Sequence, residues 1–359
     1  MTHPPSRLAR LACALVIGTV VGAYADFTWT HPRQNPSDFW QNWAAARMLA
    51  QGQNPYELIG PDRLYPHRWP LVYPATAAVA SMPFAWASHP LADALFIGFG
   101  AAMLAFALTR HSFANPQLWV FSSFALLASA QAIQWSPLLT AAAVTPWLGF
   151  LLAVKPTIGL ALFAAYPSRR AFYGAVGFVL LTIALWPHWV PAWLANLHTL
   201  THMVTPLTLW GGPLILLALL KWRRADARLL VALACVPQTP VLYEVVPLFL
   251  LVQTFREAAV LICSMAIMGK IVASTTSTDN YNLWMAVNGQ WMVWLVYLPC
   301  LVIVLRRPNE GLTLDWNAIW PERWWPLRVE ERQSAISASM RSMTTTGTEA
   351  RRASSFNPS

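Results

Sequence analysis

Residues 8–25, LARLACALVIGTVVGAYA, decide the fold class. Lipid offers no partner for an exposed backbone N–H or C=O, so a crossing segment is a helix of roughly 20 mostly apolar residues. This run is close to that length, and similar runs recur at 70–88, 91–109, 118–133, 138–154, 156–166, 171–186, 207–220, 229–254, 258–273 and 290–305. Of the 359 residues, 56% are hydrophobic and only 11% charged, whereas a soluble domain carries about a quarter charged residues. The shortfall recurs in every apolar run, which excludes a single anchor on a soluble enzyme. The reading is an all-α polytopic membrane protein with roughly ten to twelve spans. The 156–166 run is too short to span unaided. Pro237, Pro240 and Pro247 leave 229–254 as either two short helices or one kinked helix.

The net charge is +9, but its Lys and Arg sit between apolar runs instead of alternating with aromatics on a polar face, which excludes nucleic acid as the partner. With 229–254 counted as two crossings, alternation groups Arg7, Arg10, Arg169, Arg170, Lys221, Arg223, Arg224, Arg228, Arg256, Arg306 and Arg307 on one side. By the positive-inside rule that side is the cytoplasm. The loops at 26–69, 186–206 and 274–289 then face outward, and Arg110 is a single exception. A multi-pass protein of the inner or plasma membrane is expected, with its polar chemistry facing the periplasm or cell exterior. Ala23-Tyr24-Ala25 has the small-x-small form of a signal cleavage site. Cys13, Cys235, Cys263 and Cys300 read as small buried side chains, with neither disulfide nor zinc spacing. Residues 1–305 form one membrane domain. In the tail, 306–359, a Trp-rich stretch with Trp316, Trp320, Trp324 and Trp325 suits the interface, and disorder is expected from Ser334.

The first outer loop contains Asn35-Pro36-Ser37-Asp38. Asn35 suits a helix N-cap with Pro36 in the first turn, and Gly52 suits the stop. An amphipathic helix of about four turns is expected on the membrane surface, with Phe39, Trp43, Ala46 and Ala50 facing lipid or the tops of the spans. Gln41, Asn42 and Ala45 face away. Asp38, in its first turn, either answers the helix dipole or acts as a general base at the membrane boundary.

Asp38-Phe39, Ala44-Ala45-Ala46-Arg47, Gly52 and Asn54-Pro55-Tyr56 resemble the "DF…AAR…G.NPY" segment of glycosyltransferase family 87, a branch of the GT-C membrane glycosyltransferases. In order along the chain, Val72-Tyr73-Pro74 resembles the family's "YPP", and Gln134 with Leu138-Leu139 its "GQ…LL". Val154-Lys155-Pro156 resembles its "KP" turn, and Pro240 to Glu244 its "P…YD". The resemblance covers residues 38–247. Ala75, Ile133 and Glu244 depart from it, standing where Pro, Gly and Asp are usual. The resemblance implies a GT-C-like bundle that transfers a sugar, mannose or arabinofuranose, from a polyprenyl-phosphate donor to a lipid or glycan acceptor on the outer side. It further implies inversion at the anomeric carbon, with Asp38 as catalytic base and Tyr56, Gln134 and Tyr243 among the substrate-binding positions.

Other polar residues read two ways. Lys155, between apolar runs, either snorkels to headgroups or pairs with the donor phosphate. Arg63, His67 and Arg68 contact either headgroups or a phosphate or acceptor anion. Glu244 either binds sugar hydroxyls or is a buried acid satisfied by a neighbour. His188, His198 and His202 are spaced too loosely for a metal set, and with no D-x-D pair a nucleotide-sugar enzyme is not indicated. No cofactor is expected. A transporter or flippase is the main rival function, and a non-catalytic scaffold the second.

Overall fold

The computed structural model of the protein describes residues 4–29, 36–198, 203–275 and 281–310. Asn35, His202 and the tail from residue 311 lie outside the described residues. The described residues are mostly helical. Helix α1 (Arg7–Trp29) leads to α2 (Asp38–Ala50), α3 (Pro55–Leu58), a two-residue parallel pair β1 (Ile59–Gly60) and β2 (Tyr65–Pro66), and α4 (Ala75–Ser81). Next come α5 (His89–Leu108), a 3-10 segment Pro116–Ser122, α6 (Phe124–Ala132), α7 (Ser136–Val144) and a 3-10 segment Pro146–Ala153. They are followed by α8 (Pro156–Ala165), α9 (Arg169–Leu185) and α10 (Trp189–Leu197). A 3-10 segment Gly212–Lys221, α11 (Ala225–Ala234), a 3-10 segment Tyr243–Leu251, α12 (Phe255–Ser274), α13 (Tyr281–Met292) and α14 (Leu298–Leu305) complete the described chain.

Prolines set many of these boundaries. Pro55, Pro116, Pro137, Pro146 and Pro156 each sit in a first turn, where the missing N–H costs nothing, and the residues before all but Pro137 are steered out of helical conformation. Several apolar runs are therefore two short helices in series. Among the described residues, four helices are long and apolar enough to cross a bilayer: Arg7–Thr28, His89–Leu108, Phe255–Ser274 and Tyr281–Leu305. A fifth is added if α9 and α10, bent by 106°, count as one span.

The first two long helices pack antiparallel at very short range. A Cβ at Gly18 would stand 2.7 Å from the Gly98 carbonyl oxygen, and one at Gly22 would stand 2.8 Å from that of Ala94. Such close backbone approach needs small residues on both faces. Arg10 donates to the Phe106 carbonyl oxygen at 2.7 Å, and Arg110 and Arg7 each lie within electrostatic reach of Arg10. This corrects the alternation read from sequence. The 70–88 run folds as the short α4 and a 3-10 turn, Met82–Phe84, too short to span a bilayer as one helix, and Arg110 lies at the same end as Arg10. It is no exception.

Arg224, Arg228 and Arg307 gather at that same end. Asn115 and Gln117, just beyond Arg110, reach the carbonyl oxygens of Leu108, Leu250 and Val252, and Arg307 reaches that of Leu251. Arg228 donates to the carbonyl oxygens of Ala164 and Ala165 at the end of α8. The opposite end carries α2, α4 and the starts of α7, α8 and the Tyr243–Leu251 segment.

Two further expectations are corrected. The helix α2 does not rest on a Phe39, Trp43, Ala46, Ala50 stripe: Gln41, Asn42 and Ala45 are buried, while Ala50 is exposed and Trp43 half-buried. Gln41 faces inward because it has protein partners there, the His67 imidazole and the Trp69 and Pro70 carbonyl oxygens, which sequence phase does not reveal. Among the cysteines only Cys300 is buried; Cys235 and Cys263 are exposed.

Candidate functional site

The helix α2 starts where Ser37 caps it, its Oγ accepting from the Trp40 N–H at 3.2 Å. Gly52, at φ +71°, follows the last turn. The Ser37 hydroxyl also donates to Asp93 Oδ1 at 3.0 Å and lies 3.1 Å from His89 Nε2. His89 Nε2 is also 3.2 Å from Asp93 Oδ2. The start of α5 thereby clamps the start of α2, and Asp38 is held beside the clamp.

From Asp38 a polar chain runs inward. Gln134 Nε2 donates to Asp38 Oδ2, and Gln134 Oε1 accepts from Lys155 Nζ at 3.0 Å. Lys155 Nζ then meets Glu244 Oε1 at 3.4 Å and lies 5.2 Å from the centre of the Tyr243 ring. Glu244 Oε2 accepts from the Thr239 hydroxyl at 3.0 Å and the Thr239 N–H at 3.4 Å. Tyr73, buried, lies within electrostatic reach of both Asp38 and Glu244. Gln134 and Glu244 are fully enclosed, whereas Asp38 keeps partial exposure.

Two strained residues aim this chain. Ile133 (φ +53°) precedes Gln134, and Leu242 (φ +72°) precedes Tyr243 and Glu244. Left-handed backbone is costly for a branched residue such as Ile, and outliers of this kind concentrate at functional sites. The Ile133 position, where glycine is usual in the family that the sequence resembles, is the αL cap of α6.

One lysine faces two carboxylates, so the ionised cluster carries an excess negative charge. Burial drives the Asp38 carboxyl above its ordinary range; Lys155 and the Gln134 hydrogen bond pull it back, and the Asp93 charge pushes it up again. The result is a carboxylate more basic than one in water.

Five residues singled out in the sequence, Asp38, Gln134, Lys155, Tyr243 and Glu244, thus meet in one place. Arg68 is exposed, its guanidinium 5.1 Å from the Trp69 ring centre and 4.7 Å from that of Tyr281, which is itself within electrostatic reach of Asp38 and Glu244. Arg68 therefore stands on the rim. Three others stay in the loop packing. The Tyr56 hydroxyl donates to the Tyr73 carbonyl oxygen at 2.9 Å. Arg63 donates to the carbonyl oxygens of Tyr56 and Ile59 and, at 3.4 Å, to Asn196 Oδ1. His67 is bound by Gln41 and the Trp69 backbone and stacks on Trp40, with burial pushing its imidazole below the usual range.

Sequence reasoning missed Ser37, His89, Asp93 and Thr239. Asp93 is the sole charged residue in the 91–109 run, a signal of function or pairing inside a membrane segment. Among the described residues no three His, Cys, Asp or Glu side chains stand close enough to hold a metal ion. Compared with family models, curated proteins and solved structures, the chain shows no match.

Proposed function

We propose that the protein is an integral membrane glycosyltransferase that uses a polyprenyl-phosphate sugar, mannose or arabinofuranose, as donor. The observation that carries this reading is the chain from Asp38 through Gln134 to Lys155 and Glu244. It joins a basic carboxylate that keeps an opening to solvent with a cation further inside. In the reaction, an acceptor hydroxyl oxygen attacks the anomeric carbon while its proton passes to Asp38. The anomeric C–O bond to phosphate breaks on the opposite face, and its electron pair stays with the leaving phosphate. Lys155 opposes the charge that builds there, favouring the transition state over the ground state.

Lys155 directly precedes α8, and a helix N-terminus, like an ammonium, favours an anion such as a phosphate. An incoming phosphate competes with Glu244 for Lys155, while the Thr239 bonds keep Glu244 satisfied. Beginning at Pro156, an apolar groove of about 390 Å³ runs between α8 and α9, lined by Leu152, Gly159, Phe163, Val176 and Leu180. An isoprenoid tail fits that chemistry.

In the same reading, roughly ten crossings form a GT-C-like bundle, with the serial short helices completing the spans that no single helix makes. The arginine-rich end is cytoplasmic by the positive-inside rule, and the Asp38 end faces the periplasm or cell exterior, where a lipid or glycan acceptor is met. The Lys155–Glu244 pair also favours a second reading, a lipid or glycan transporter, because intramembrane ion pairs often mark substrate pathways. Purified protein in lipid vesicles, given a panel of radiolabelled polyprenyl-phosphate sugars and membrane extract, tests both. Label covalently joined to an acceptor, and lost in Asp38→Asn, supports transfer. Donor that changes leaflet without covalent transfer supports the transporter.

A further inference from the structure

The helix α2 contains a buried amide with nothing to bind. Asn42 is fully enclosed, and neither its Nδ2 nor its Oδ1 has a hydrogen-bond partner. Two more such groups follow Gln134 directly: the Trp135 Nε1–H and the Ser136 hydroxyl, both on enclosed side chains. Buried amides and hydroxyls are unfavourable unless bonded, and orphaned ones ask for an explanation such as a ligand or water.

Helix geometry places Asn42 on the face of α2 that meets the turn carrying Trp135 and Ser136. At about 100° per residue, Asn42 projects about 40° from Asp38 and about 60° from Phe39, between the two and one turn further along. Asp38 is the side chain that meets Gln134, and the Phe39 ring lies 6.4 Å, centre to centre, from that of Trp135. Asn42 therefore shares the face of α2 that meets Gln134 and Trp135, one turn further along. The Ile133 φ of +53° fixes where that turn points.

We infer that Asn42, Trp135 and Ser136 form a subsite for the hydroxyl groups of a neutral, polyhydroxylated ring placed beside Asp38. The inference rests on the glycosyl-transfer reading and deepens it by assigning residues that hold the sugar. The set offers donors and acceptors together but no cation, and the neighbouring Asp38 carboxylate repels an anion. Lys155 lies on the far side of the Gln134 amide. A sugar hydroxyl, which both donates and accepts, matches this set; a phosphate does not.

The test uses Asn42→Leu, which keeps volume and removes the amide, in full-length protein in lipid nanodiscs. Thermal midpoints are measured without ligand, with farnesyl phosphate, and with farnesyl phosphate carrying mannose or arabinofuranose. The expected result is an unliganded midpoint equal to or above wild type. Both proteins respond to farnesyl phosphate, while the additional response to the sugar moiety weakens roughly tenfold to hundredfold in the variant. Ser136→Ala weakens it less. A sugar response equal in wild type and Asn42→Leu overturns the subsite, as does a lowered unliganded midpoint with that response intact. If neither farnesyl compound shifts wild type, the polyprenyl donor reading fails on its own. The subsite is then judged with methyl glycosides: a wild-type shift lost in Asn42→Leu upholds it, and no shift or equal shifts overturn it.

Discussion

Two buried charge clusters stand at opposite ends of the helices, and they are built differently. At the arginine-rich end, Asp226 accepts from Arg224 Nη2 at 2.9 Å and from Arg307 Nη1, while Arg307 also meets Glu257 at 2.7 Å. Glu257 accepts from the Gln253 N–H at 2.7 Å and the Thr254 N–H at 3.1 Å as part of a capping box. Two cations answer two carboxylates, and the group ties together α11, the Tyr243–Leu251 segment, α12 and the chain after α14. At the other end one lysine answers two carboxylates, two left-handed residues aim the side chains, and a buried amide lacks a partner. A structural clasp is balanced; a cluster left unbalanced and strained at a cost in stability is the place to look for function.

Asp38→Asn gives the largest expected effect. Transfer in the radiolabel assay falls about 10²- to 10⁴-fold if this carboxylate is the base, while the fold survives. The linkage sign follows from the raised Asp38 carboxyl. The folded protein holds its proton above the pH where the unfolded chain releases it, so this group lowers stability as pH climbs from the ordinary carboxylate range through the raised one. Asp38→Asn should therefore raise the thermal midpoint at neutral pH, with the gain disappearing near pH 4, about the ordinary aspartate value. A variant less stable than wild type at every pH would make Asp38 part of a clasp and erase the contrast.

Arg307→Met should do the opposite. It leaves Asp226 and Glu257 without their shared cation and should cost about 3 to 5 kcal/mol, read as denaturation in detergent. Adding Asp226→Leu and Glu257→Gln should recover part of the loss. Lys155→Met belongs between these two variants. With partial access to solvent and Gln134 still in place, it should cost about 2 kcal/mol. Transfer should weaken more in donor use than in acceptor use, and an equal loss in both would count against a phosphate contact.

Much of this arrangement was legible in the sequence. The apolar runs announce a helical membrane protein, and the polar residues interrupting them, from Asp38 to Glu244, meet because isolated polar groups are costly there. The inner face of α2 was misread, because Gln41 and Asn42 look solvent-facing until their burial is known. Arg110 was placed at the wrong end because composition alone cannot tell that 70–88 folds as pieces too short to span as one helix. Asp93 passed unnoticed because its partners, Ser37 and His89, lie on another helix and at the very start of its own.

The Ser37–His89–Asp93 clamp yields the smallest predicted effect and the sharpest test of the contrast. Ser37→Ala removes a helix cap and should cost about 1 kcal/mol, a loss that any structural contact could explain. Asp93→Asn keeps the shape but removes a charge facing Asp38, whose other close influences are Lys155 and Gln134. Asp38 should then ionise at lower pH, and the acid limb of the transfer rate should move down with it. A clamp that serves packing alone would lower the midpoint and leave that limb in place.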